Sequence, residues 1–274
     1  MKDRPAYRSY SQLDTWMTCG EQFRLQRRVG IQEKPSVWLP GGTAFHNTTE
    51  YIDHDNLLDG SIEQTWLREW NRALDDQLSR LDGAKVQADW LEPANWRAAN
   101  KGKETLEWWR KAGLGFCEEY AKWRDQSDLQ IFWDGDTALI EAELMPILND
   151  VPVKMFADRI MVDKHGQLLV VDLKTGSKAI ESSLQLGVYK VGVEKLLGVT
   201  IEWGAYYMAR KGALDNPLPL GHWTEDRIGS MFAAFDRQER AGEYLPNIGS
   251  HCKYMCSFRE HCVYMGGTKH KDDE

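Results

Sequence analysis

The stretch Val170-Val171-Asp172-Leu173-Lys174-Thr175-Gly176 decides how the rest of the chain is read. Two β-branched residues run into an acid, an apolar residue and a lysine, and Thr-Gly closes the run, as in a buried strand whose end carries charge. Strand side chains alternate, so Asp172 and Lys174 share one face while Leu173 points into the core and still offers its backbone carbonyl. Upstream, Phe156-Ala157-Asp158-Arg159-Ile160 places another carboxylate in an apolar strand. Two carboxylates and a carbonyl oxygen are a hard-oxygen set of the kind Mg²⁺ or Mn²⁺ prefers, and such an ion draws a nucleophile from its bound water. The chemistry implied is metal-assisted phosphodiester hydrolysis, with Lys174 orienting or deprotonating the water and offsetting charge in the transition state.

Working outward, a helix is expected from about Glu181 to Leu197, with Gln185 and Tyr189 on one face at i and i+4. Thr200 to Ala209 reads as a returning strand and Thr224 to Ala241 as a further helix. On the other side, Ala138 to Leu148, Val153 to Val162 and Gln167 to Leu173 are β-branched segments parted by Asn149-Asp150 and His165-Gly166, the turns of adjacent antiparallel strands. Strands, a helix and a returning strand make a mixed α/β core. An N-terminal helix is expected near Ser9 or Ser11, where Ser11-Gln12-Leu13-Asp14 resembles a capping box, with Gly20 interrupting it just after Cys19. Gly41-Gly42 leads into a helix from Thr43 to Asp53 that carries His46. From Ile62 to Gln126 the pattern is helical, with Trp66, Leu67, Trp70, Leu74 and Leu78 forming a stripe and Gly83 and Pro93 breaking the run. The expected organisation is therefore N-terminal helices over residues 1–53, a helical insertion over 54–136, the core over 137–248 and a cysteine-rich tail over 249–274.

The 274 residues are 42% hydrophobic and 28% charged, which excludes a disordered chain and a small disulfide-stapled fold. No apolar run approaches the ~20 residues of a membrane span, and the N-terminus lacks a secretory pattern, so a cytoplasmic protein with no membrane partner is expected. The net charge of −8 is unevenly spread. Residues 50–92 hold 4 basic and 11 acidic groups, whereas residues 1–34 and 93–124 each hold 7 basic and 4 acidic ones, leaving room for a local basic surface. Arg24, Arg27 and Arg28 form a basic edge after Cys19, either a solvated helix face or a phosphate-tracking one. Most of the 12 tryptophans are expected to fill the core, with one or two available to stack on bases.

These features together resemble a RecB-type member of the PD-(D/E)xK nuclease superfamily, whose pattern is a helical His, a strand Asp, a D-x-K and a helical Q-x-x-x-Y. The resemblance implies a mixed central sheet flanked by helices. It makes His46, in a G-x-x-x-H that begins at Gly42, a metal ligand together with Asp158, Asp172 and the Leu173 carbonyl. It makes Lys174 the catalytic lysine, supported by Gln185 and Tyr189, and it loosely matches Glu143 to an acidic position in the preceding strand. Cys252, Cys256 and Cys262 lie close together in the tail, and Cys19 lies far upstream. Four thiolates suit a [4Fe-4S] cluster or tetrahedral zinc. The arrangement is similar to the iron-sulfur staple of AddB-type and CRISPR-associated nucleases, although the first gap here, Lys253-Tyr254-Met255, is one residue longer. His251 and His261 beside the trio keep zinc open, and Cys117 reads as a helix core residue. The implied function is a divalent-metal-dependent DNA exonuclease favouring single-stranded ends, with a 5′-to-3′ direction suggested by the iron-sulfur relatives, in recombination, repair or phage DNA metabolism. The sequence has no G-x-x-x-x-G-K-[ST], so any unwinding would come from a helicase or recombination partner or be limited to fraying. The alternatives are a non-catalytic DNA-end binding module and a zinc-stapled structural adaptor.

Overall fold

A computed structural model describes residues 2–32, 36–54, 61–79, 104–177, 180, 182–250, 252 and 256–267. The expected breaks at Gly83 and Pro93, the expected helix start at Glu181, the Lys253-Tyr254-Met255 gap and His251 lie outside these residues. In chain order the helices are α1 (Tyr10–Thr18), α2 (Gly20–Phe23) running into a π-helical turn (Arg24–Val29), α3 (Trp38–Asp53), α4 (Ile62–Ser79), α5 (Leu106–Gln126), α6 (Leu184–Leu197) and α7 (Glu225–Ala241). The strands are β1 (Gln130–Ile131), β2 (Trp133–Asp134), β3 (Thr137–Ala138), β4 (Ile140–Leu144), β5 (Ile147–Leu148), β6 (Val151–Pro152), β7 (Met155–Val162), β8 (Leu168–Lys174), β9 (Ile201–Met208), β10 (Ala213–Leu214) and β11 (Leu218–Pro219).

A seven-stranded mixed sheet runs β1-β7-β8-β9-β10, with β4 also on β7 and β11 also on β9. Strands β7 and β8 are antiparallel neighbours, while β8 and β9 are parallel and joined through α6, the crossover that parallel pairing requires. The β8 strand thus ends, at Lys174, between an antiparallel and a parallel neighbour. One face of the sheet packs against α1, α6 and α7 through residues such as Leu13, Val170, Leu186, Tyr206 and Phe232. The other packs against α3, α4 and α5 through Phe45, Trp66, Trp109, Val171 and Tyr207. Each fully buried large apolar side chain in these layers contributes roughly 1.5–3 kcal/mol. Cys117 is fully buried in the second layer. No helix among the described residues is long and apolar enough to cross a membrane.

Two helix boundaries differ from the sequence reading. The cap of α1 is Ser9, one of the two expected starts, whose hydroxyl accepts from the Gln12 amide at 3.3 Å, but the break falls at extended Cys19 instead of Gly20. Gly20 opens α2, and its amide donates to the Leu245 carbonyl at 2.9 Å. The helix bearing His46 begins at Trp38 and runs through Gly41-Gly42. Glycine weakens a helix by ~1 kcal/mol, but a Cβ at Gly41 would sit 2.3 Å from the Trp109 ring, so the close packing of α3 on α5 demands it there.

Candidate active site and metal centre

The helix α3 and the strands β4, β7 and β8 converge at one point. From α3, His46 places Nδ1 3.2 Å from Glu141 Oε1 and 3.6 Å from Asp158 Oδ2, and Nε2 3.1 Å from the Leu173 carbonyl. Asp158 Oδ2 accepts from the Leu173 amide at 2.7 Å, tying β7 to the end of β8. Beside them, at the end of β8, Lys174 Nζ lies 2.6 Å from Asp172 Oδ2 and donates to Gln185 Oε1 at 3.0 Å. Gln185 Nε2 in turn donates to the Tyr189 hydroxyl at 2.9 Å. The alternation read from the sequence therefore holds at the end of β8: Leu173 is buried, its carbonyl faces His46, and Asp172 and Lys174 face α6.

Among the described residues, the group of three or more metal-type donors whose atoms approach within 4.8 Å of one another is His46, Glu141 and Asp158. Asp172 borders it. Its carboxylate is 1% exposed, and neither oxygen receives an aligned hydrogen bond even with the Lys174 ammonium close by. A buried carboxylate lacking donors beside a His-Glu-Asp set is what a hard divalent cation would complete.

The acid found here is Glu141, not Glu143. Glu143 is exposed and forms its ion pair with Lys154 at 2.7 Å. The reason is local backbone. Glu141 has a φ of 45°, in the left-handed region. Across it the pleat changes phase: Ile140 joins the α3 side of the core, whereas Ala142 and Leu144 pack on the α6 side. Glu141 is also held by Arg159 Nη1 at 3.1 Å. Period-two reading cannot locate such a shift; a glutamate paired across the sheet with Asp158 was the available signal. Glu141→Gln is expected to weaken Mn²⁺ binding by ~10–100-fold, whereas Glu143→Gln should change it by less than about twofold. Calorimetric titration of the two variants reads the difference, and equal effects would remove Glu141 from the site.

The proximity of these groups shifts their protonation. Burial alone would lower the His46 pKa, but the charges of Asp158, Glu141 and Asp172 and the Glu141 hydrogen bond raise it to about 9. Burial first, then the neighbouring Asp158 charge, push Asp172 up to about 7, against the pull of Lys174 and His46. Asp158 is also raised, chiefly by burial, while His46 and Arg159 outweigh burial and lower Glu141. Without a cation the site therefore keeps protons that ligation would displace. Mn²⁺ binding is expected to release protons and to tighten as pH rises through about 7 towards about 9. Titrations in buffers of different ionisation heat measure this release, and affinity unchanged with pH would contradict it.

The cysteines lie apart from this centre. Cys19 Sγ accepts from the Asn247 amide at 3.3 Å, and Cys252 Sγ approaches the Asn247 carbonyl at 3.6 Å, so the N-terminal and C-terminal segments meet. Burial, and after it the charges of Cys252, Cys19 and Cys262, raise the Cys256 thiol. The four sulfurs do not form a set within 4.8 Å of one another. They are not gathered as tightly as the ~3.8 Å spacing that follows from zinc–sulfur bonds near 2.3 Å. Of the arginines expected to form a basic edge, Arg27 is exposed, and Arg24 pairs with Glu21 at 2.7 Å. Arg28 is buried, with Nε 3.3 Å from Glu239 Oε1, which corrects its reading as a surface contact: the buried carboxylate draws the guanidinium inward.

Comparison with known proteins agrees with this geometry. The chain is 29% identical to the Gene 69 protein of Mycobacterium phage L5, over 87% of this chain and 90% of that protein. It is 28% identical to the Gene 69 protein of Mycobacterium phage D29, with the same two coverages. The profile of the PD-(D/E)XK nuclease superfamily matches residues 7–263, a span that takes in His46, Asp158, Asp172, Lys174 and Gln185. With that match over nearly its whole length, the chain belongs to the PD-(D/E)XK nuclease superfamily.

Proposed function

We propose that the protein is a RecB-like, divalent-metal-dependent deoxyribonuclease that shortens DNA from its ends, single-stranded ends being favoured. The observation that carries this is the Asp172–Lys174–Gln185–Tyr189 chain standing directly beside His46, Glu141 and Asp158. His46, Glu141, Asp158, Asp172 and the Leu173 carbonyl would hold Mg²⁺ or Mn²⁺, which when bound supplies Lewis-acid polarisation of the phosphate and an activated water. In the hydrolysis, water adds to phosphorus and one ester P–O bond breaks, leaving a phosphate monoester and a free hydroxyl. Lys174, fixed between Asp172 and Gln185, brings its positive charge to the phosphoryl oxygens where negative charge accumulates. Tyr189 orients Gln185, and Gln185 fixes the lysine.

The setting in phage DNA metabolism, recombination or repair is supported by the phage origin of the relatives. The division at residues 53, 136 and 248 and a cytoplasmic location belong to the same proposal, as does a [4Fe-4S] cluster on Cys19, Cys252, Cys256 and Cys262. The cluster is supported by the meeting of Cys19 and Cys252 at Asn247. Iron analysis with absorbance in the thiolate-to-iron region tests it, and a zinc-only or cofactor-free protein would dismiss it.

Linear single- and double-stranded DNA labelled at either end, and circular single strands, incubated with and without Mn²⁺, test the activity. Metal-dependent loss of terminal nucleotides with intact circles is the expected result. Cut circles would make the enzyme an endonuclease, and binding without cleavage would make it a DNA-end binding module.

A further inference from the structure

We propose that Arg210, in the turn between β9 and β10, is a positioning residue that sets where Lys174 stands. The strand β8 ends at Lys174, and the chain leaves it through Thr175 and Gly176. Two contacts from one turn hold that exit. The Ala209 amide donates to the Lys174 carbonyl at 2.9 Å, and Arg210 Nε donates to the Thr175 carbonyl at 2.7 Å. The guanidinium is itself fixed from its other end. Its Nη1 and Nη2 donate to Glu104 Oε1 and Oε2 at 3.1 and 3.0 Å, a two-pronged pairing with a carboxylate that is 4% exposed. Its carbon centre lies 5.0 Å from the Trp108 ring centroid, 5.4 Å from that of Trp109 and 5.8 Å from that of Phe116, all on α5.

Each nitrogen of the planar fork thus makes a hydrogen bond, and a lysine cannot reproduce the set. The opposite side of the site rests on the same place. Gly41 of α3 packs directly on the Trp109 ring, five residues ahead of His46 on that helix. Trp109 therefore touches both the helix that supplies the histidine and the arginine that secures the strand end supplying the lysine. The tryptophan-rich helix α5, which brings no group of its own to the metal donors, fixes the separation between the two halves of the centre. A lysine displaced by about 1 Å costs a reaction of this kind up to ~10²-fold in rate.

This inference takes Lys174 in the role given above, so the test needs a measurement that does not depend on cleavage. Arg210→Ala, Arg210→Lys and Glu104→Gln would be purified and confirmed as folded by near-ultraviolet circular dichroism. Two readings would then be taken on each: the rate at which an amine-selective acylating reagent labels Lys174, followed by mass spectrometry, and kcat and KM on end-labelled single strands with Mn²⁺. Arg210→Ala should change Lys174 labelling by at least about threefold and lower kcat by ~10–100-fold with KM within about threefold. Arg210→Lys should recover little of either, and Glu104→Gln should move both in the same direction by less. A residue that merely stabilised the fold would lower the melting temperature while leaving labelling and kcat per folded molecule unchanged, and that result overturns the proposal. If the parent protein did not cleave, the proposed activity would fail, while the labelling rates would still decide the position of Lys174. Should Arg210→Ala not fold, Glu104→Gln carries the same two readings.

Discussion

Asp172→Asn and Lys174→Ala are each expected to reduce metal-dependent cleavage by at least ~10²–10³-fold while the protein remains folded. The two losses should differ in their effect on stability. Asp172 is buried with no aligned hydrogen bond to its carboxylate, and burial raises its pKa to about 7. A carboxyl whose folded-state pKa stands above its unfolded value favours the folded state less as pH rises from the unfolded value towards the folded one. Metal-free Asp172→Asn at pH 8 should therefore be at least as stable as the parent, because the substitution removes a charge that the fold accommodates poorly. Lys174→Ala takes away the cation 2.6 Å from that carboxylate and should lower stability under the same conditions. Thermal melts in chelator alongside single-turnover cleavage separate the two effects. Parent-like turnover in either variant would remove these residues from the chemistry.

The largest stability loss is expected at Asp53, the last residue of α3. Its side chain is fully buried, accepts from the Tyr120 hydroxyl at 2.6 Å and from Arg124 Nε at 2.7 Å, and is also paired with the fully buried Arg159. Removing one partner of a buried ion pair costs ~3–5 kcal/mol, because the other charge remains in a place without water. Asp53→Ala removes this partner from Arg159, which among the described residues keeps its hydrogen bonds to Thr49, Glu141 and the Asp158 carbonyl. Mn²⁺ affinity should fall as well, since Arg159 orients Glu141. Asp128→Ala, which removes an exposed pairing with Lys164 at 3.4 Å, should stay within ~0.5 kcal/mol of the parent. Urea unfolding in the absence of metal compares them, and equal midpoints would show that the Asp53 cluster contributes nothing.

The residues legible in the sequence are those whose neighbours obey a simple period. Asp172, Leu173 and Lys174 take their faces from strand alternation, and Gln185 meets Tyr189 at i and i+4, so local spacing was sufficient. The antiparallel β7–β8 pair followed in the same way from its His165-Gly166 turn. What remained hidden depends on contacts between distant segments. Glu141 reaches the centre because of a left-handed backbone angle, glycine stands inside a helix at Gly41 because of Trp109, and Arg28 turns inward because Glu239 is buried far along the chain. None of these partners can be recognised from the sequence immediately around them.

The burial of Glu239 also constrains the order in which the protein can be made. Arg4 Nε, Arg8 Nη2 and Arg28 Nε lie 3.0, 2.8 and 3.3 Å from its carboxylate, and the first of these pairs spans 235 positions. A chain emerging from the ribosome at ~5–20 residues per second exposes those three arginines well before α7 exists. The three guanidinium groups therefore lack this buried partner until α7 has been made. Contacts of such long sequence separation slow folding, because the loop they close is ordered before the contacts stabilise it. Docking of the first thirty residues is thus expected to be a late event, and a chain cut short before α7 would leave the amino-terminal end of the nuclease core open to proteases.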